Sequence, residues 1–150
     1  MQKLALILHL FGACIWVGGH LYLLIRLMPK FVKHQDIAGF LAFEKSYEPL
    51  GMAALAVQVI TGLYMAYRIV PNVGMWFNPQ LGVLSHLIMA KILWLGLTIL
   101  TAIHARFWVV TRLQNGTYNE RTLGVMGLHV LLICLFAMAF VITGAFFRWG

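Results

Sequence analysis

Four long apolar runs constrain this chain more than any other feature. They cover residues 4–27, 50–69, 81–110 and 123–147, and basic residues or prolines lie at the end of each run. A helix rises about 1.5 Å per residue, so each run is long enough to cross the roughly 30 Å hydrocarbon core of a bilayer. Because backbone polar groups must pair within a spanning segment, these runs are expected to be helices. The sequence therefore predicts an all-α integral membrane protein, with residues 1–150 forming one four-helix up-down bundle.

The distribution of charge agrees with this prediction and indicates an orientation. Only 10% of the residues are charged, whereas a soluble domain has about 25%. Loops one and three with their flanks carry seven basic residues and the opposite side carries three, which predicts both termini on the outer, periplasmic side of a bacterial inner membrane. This pattern accounts for the net charge of +7, and nucleic-acid binding is not expected. The two sets are Arg26, Lys30, Lys33, Lys45, Arg106, Arg112 and Arg121, and Lys3, Arg68 and Arg148.

The segment between the first two spans, residues 30–49, has a different composition. It mixes charged side chains with Phe31, Ile37, Phe40 and Phe43. These spacings suit an amphipathic helix that lies in the membrane interface. We therefore expect a separate interfacial segment here, before the second span begins near residue 50.

Histidines within the apolar runs are the main candidates for function. Polar side chains in hydrocarbon are costly and usually functional. With each span centred on the bilayer and a rise of 1.5 Å per residue, His20, His104 and His129 lie about 7, 10 and 9 Å to the cytoplasmic side. Three histidines from three predicted helices therefore share one layer. On the outer side, His9 and Lys91 each lie about 10 Å from the midplane.

This layering predicts a b-type haem protein with one or two haems. Haem needs imidazoles from facing helices and an apolar slot around its ring. For the inner haem the axial ligands are expected to be two of His20, His104 and His129, which would leave no open iron position and favour electron transfer. Quinone or a redox partner protein would exchange the electrons, and a homo-oligomer is left open. For a possible outer haem the expected ligand is His9, with His86 or Lys91 nearby. Arg26 and Arg106 are expected to pair with the haem propionates. Trp16 and Gly19 are expected to lie beside the haem ring.

Three other classes of function compete with the haem carrier. Copper is the first, because imidazole, thioether and thiolate groups all suit it. The second is a haem-dependent oxidoreductase acting on protoporphyrinogen or superoxide, and the third is a structural subunit whose histidines only pack. The donors for copper would come from His86 and His129, each three residues from a methionine, and from Cys14 and Cys134.

The stretch from His9 to His20, HLFGACIWVGGH, resembles the first-helix signature of the copper resistance protein D (CopD-like) membrane family. A more distant similarity is to the HemJ-type protoporphyrinogen oxidases. The resemblance implies a compact helical membrane protein, and the HemJ type is associated with b-type haem. The copper role belongs to longer relatives with more spans. Other parts of the resemblance are Phe43 and Glu44, residues 61–64 (TGLY), Lys91, His104 to Arg106, His129, and residues 144–148 (GAFFR).

Overall fold

Four long helices make up almost all of the fold. The computed structural model describes residues 1–78, 80 and 82–147. Leu81, the first residue of the predicted third span, and Arg148, which follows the predicted fourth span, lie outside the described residues. All four helices are long and apolar enough to cross a membrane, which confirms the predicted all-α four-helix membrane bundle and identifies a multi-pass membrane protein. They are α1 (Gln2–His34), α2 (Ile37–Ile69), α3 (Val83–Gln114) and α4 (Thr122–Phe146).

The residues expected to form a separate interfacial helix, 30–49, belong instead to α1 and α2. A tight turn joins the two helices, with Gln35 in the left-handed region at φ 49°. Asp36 caps α2, because its side chain accepts a hydrogen bond of 2.8 Å from the Gly39 N–H. Pro49 lies inside α2 without ending it. Extension of a spanning helix keeps nearly all backbone groups of this stretch paired, so an amphipathic stretch needs no helix of its own here.

Two stretches of π-helix interrupt the regular helices on the same side of the bundle. One is Leu23–Leu27 in α1 and the other is Ala105–Val110 in α3. The first begins three residues after His20 and the second directly after His104. Residues of both stretches pack into one buried apolar cluster. Such insertions rotate the helix face that follows and are frequent near functional sites.

The helices pack unevenly around the bundle. Helix α1 lies along α2, α3 lies along α4, and α1 also packs against α4. The α1–α2 contact is close at Gly12, where an added Cβ would lie 2.9 Å from Gln58 Cγ and 3.0 Å from the Ala54 carbonyl oxygen. Helices α2 and α3 approach each other less closely. The gap between them contains the candidate site.

Candidate functional site

An apolar cleft between α2 and α3, here called the α2–α3 cleft, is floored by side chains of α1 and α4. Its volume of about 330 Å³ falls within the usual range of roughly 300–1,000 Å³ for small-molecule sites. Of the histidines in the described part of the chain, only His20 lines it. The other polar side chains at the cleft are Glu44, Tyr47, Glu48, Thr98 and Arg106.

His20 is buried, and one of its ring nitrogens is committed to its own helix. Nδ1 lies 2.8 Å from the Trp16 carbonyl oxygen, one turn earlier. Because a carbonyl can only accept, Nδ1 carries the proton and Nε2 keeps a free lone pair. Metal-binding histidines are usually oriented by this kind of hydrogen bond from the other ring nitrogen. The ring centroid also lies 4.3 Å from that of Trp16. His20 is therefore held with an available donor nitrogen at the cleft.

Tyr47 is a site residue that the sequence analysis missed. Its hydroxyl donates toward the Ile15 and Trp16 carbonyl oxygens, at 3.0 and 3.2 Å. Its ring meets His20 edge-on, with 5.6 Å between the centroids. A Cβ added to Gly19 would overlap the Tyr47 hydroxyl. The space beside Gly19, which was assigned to a cofactor, is thus filled by a tyrosine, and no spacing in the sequence indicates this pairing.

An ion-pair cluster joins α3 to α2 at the polar edge of the cleft. Arg106 Nη1 lies 2.7 Å from Glu44 Oε1, and Arg106 Nε lies 3.6 Å from Glu48 Oε1. The Glu44 side chain is 16% exposed and that of Arg106 is 43% exposed. Arg106 is therefore at the cleft, as a propionate-binding residue would have to be, but it is paired with protein carboxylates. Arg26 is exposed on α1 and forms no ion pair within the described residues.

His104 and His129 bind each other. His104 Nδ1 and His129 Nε2 are 2.8 Å apart, and His129 Nδ1 donates to the Val125 carbonyl oxygen at 2.8 Å. His129 Nε2 must therefore accept a hydrogen bond from the His104 Nδ1–H. Two trans ligands, each about 2 Å from a metal, would need nitrogens roughly 4 Å apart. In this arrangement the pair does not supply both axial ligands of one iron.

The His104–His129 pair also lies on a different face from the cleft. His129 is buried, whereas His104 is exposed on the surface of α3. The His104 ring is nearly parallel to that of Trp108, with 6.1 Å between centroids, and the Arg112 guanidinium lies 5.0 Å from the Trp108 ring. A column of polar and aromatic side chains thus follows the outside of α3.

The residues predicted for the outer site each have a different contact partner. His9 Nδ1 donates toward Thr61 Oγ1 at 2.9 Å and the Gln58 carbonyl oxygen at 3.1 Å. Lys91 Nζ lies 5.1 Å from the Phe147 ring centroid, and His86 Nδ1 bonds to the Gly82 carbonyl oxygen. Across the described ranges, no three His, Cys, Asp or Glu side chains come together as a metal-binding group.

Comparison with family models, curated proteins and solved structures finds no match to this chain. The similarity to CopD-like and HemJ-type proteins therefore stays a prediction based on the motifs. Any functional conclusion therefore depends on the geometry of the chain's own residues.

Proposed function

We propose that this protein binds haem b in the α2–α3 cleft and transfers electrons within a bacterial inner membrane. The observation that carries the proposal is His20, a buried imidazole with a free Nε2 at the wall of an apolar cleft. The basic residues concentrated at this end of the bundle favour a cytoplasmic side for the cleft and an outer side for both termini.

The residues of the cleft suit a planar, mostly apolar group with acidic substituents. Phe40 and Phe43 line the cavity and would exclude water, while Trp16 packs against the His20 ring. Arg106 provides a cation that would bind propionates by charge-assisted hydrogen bonds after leaving Glu44 or Glu48. Bound haem would supply one-electron chemistry at its iron. The chain's own part is to bind, orient and shield that group.

Whether a second residue would also hold the haem decides between a carrier and an enzyme. Met126 and Val130 line the cleft on either side of His129 in α4, which makes His129 the candidate for bis-histidine ligation. It would have to release His104 and turn toward the cleft. With His20 as the sole protein ligand, the haem would stay accessible to a small substrate, as in haem-dependent oxidoreductases.

Optical spectra of the purified protein test this proposal. The protein should be expressed with haem available, then measured as isolated, after dithionite reduction, and after reduction under carbon monoxide. A Soret band that shifts on reduction supports haem binding, and its absence contradicts the proposal. A further shift with carbon monoxide indicates an open axial position, whereas an unchanged reduced spectrum indicates bis-histidine ligation.

Copper binding is the second candidate function, and the His104–His129 pair favours it. Two imidazoles from adjacent helices meet there with nitrogens 2.8 Å apart, and imidazole is a suitable copper ligand. Copper bound to the purified protein at one equivalent, and lost in His104→Ala but not in His86→Ala, would support this function. No bound copper in the unaltered protein would contradict it.

A further inference from the structure

The Trp16 carbonyl oxygen accepts hydrogen bonds from two side chains of the candidate site. His20 Nδ1 lies 2.8 Å away and the Tyr47 hydroxyl 3.2 Å away. The hydroxyl has one proton, which it shares between this oxygen and the Ile15 carbonyl oxygen. His20 and Tyr47, from different helices, are therefore linked through one acceptor atom.

The backbone around Tyr47 is shaped to hold this hydroxyl in place. Gly19 on α1 leaves the space that the hydroxyl occupies, and an added Cβ at Gly51 on α2 would lie 3.1 Å from the Tyr47 ring. The Phe43 ring stacks on the Tyr47 ring, with 5.5 Å between the centroids and 15° between the planes. Gly18, the neighbour of Gly19, has open space beside it. The glycine at position 19 is thus specifically matched to the tyrosine.

We propose that Tyr47 is a positioning residue that sets how strongly His20 donates electrons to a bound metal. The inference rests on the proposed role of His20 as a ligand. Hydrogen bonding from Nδ1–H to an acceptor raises the basicity of the imidazole. A second donor on the same oxygen weakens that effect, because two donors compete for its electron density. The Tyr47 hydroxyl therefore keeps His20 a weaker donor than it would be alone, which favours reduced iron over oxidised iron.

Tyr47→Phe tests the inference because it removes the hydroxyl and keeps the ring. The midpoint reduction potential of the haem should fall. The expected change in the ratio of oxidised to reduced haem is threefold to tenfold, which corresponds to a fall of up to about 59 mV for one electron. Tyr67→Phe is the matched control, since Tyr67 is exposed on the same helix and donates no side-chain hydrogen bond among the described residues. An unchanged or higher midpoint in Tyr47→Phe, with haem retained, overturns the inference.

A second pair of variants tests the position of the Tyr47 hydroxyl without removing it. Gly19→Ala should displace the Tyr47 hydroxyl and lower the midpoint in the same direction, whereas Gly18→Ala should leave it unchanged. Equal midpoints in the two glycine variants would count against the proposed linkage.

A haem-free measurement keeps this test independent of the proposed function. In protein with ¹⁵N-labelled histidine, the His20 Nδ1–H proton resonance should move downfield in Tyr47→Phe, because its hydrogen bond to Trp16 becomes stronger. His20→Ala assigns the signal. No Soret band together with this shift removes the haem proposal and leaves the linkage intact. A Soret band without the shift removes the linkage alone.

Discussion

His20 and His129 form the same hydrogen bond to their own helix, but their surroundings differ. Each ring donates Nδ1–H to the carbonyl oxygen four residues earlier, at 2.8 Å, so each keeps an unprotonated Nε2. At His20 this nitrogen is on a residue that lines an apolar cleft, whereas at His129 it accepts a hydrogen bond from His104. The same helical geometry thus prepares a donor atom at both places. The neighbouring helix decides whether that atom is available to a ligand.

The largest expected effect separates these two histidines. His20→Ala should abolish the Soret band of the purified protein, because the cleft loses its only histidine nitrogen. His129→Ala should retain the band, since His129 is engaged with His104. Absorbance per protein in matched preparations measures both. Loss of the band in His129→Ala would break the comparison and identify His129 as a second ligand.

A smaller effect is expected at the edge of the cleft. Arg106→Gln should weaken haem binding about fivefold to tenfold, because a charge-assisted hydrogen bond in a half-exposed position contributes about 1 kcal/mol. Haem titration of the apoprotein followed at the Soret band gives the affinity. Arg26→Gln is the control, because Arg26 is exposed and absent from the cleft lining. Equal weakening in both variants would mean that bulk charge, rather than the position of Arg106, matters.

The smallest effect concerns the hydrogen bond between His104 and His129. Interhelical side-chain hydrogen bonds in membranes contribute on average about 0.6 kcal/mol. A double-mutant cycle with His104→Ala and His129→Ala should give a coupling free energy of this order in detergent unfolding. The pair His86 and His129 should show no coupling. A coupling well above about 1.7 kcal/mol would mean that the contact is stronger than an ordinary interhelical hydrogen bond.

The sequence of this chain predicts its helices better than it predicts the contacts between them. Four spans, an all-α bundle and buried histidines follow from run length and from polar residues in apolar surroundings. His20, Trp16 and Arg106, which the sequence pattern had made candidates for the haem site, all line the cleft. The pairing of His104 with His129 and the contact of Gly19 with Tyr47 were not predicted. Both depend on the rotation of one helix against another, which the depth of a residue in the bilayer does not specify.

The sequence by itself determined that this chain spans a membrane four times and that four of its six histidines lie well within the spans. Only the tertiary structure decided that α2 and α3 leave a cleft and that Tyr47 lies against Gly19. The physical reason is that a membrane helix is apolar toward lipid and toward its neighbours alike. Its pattern therefore carries little information on which face packs against which partner.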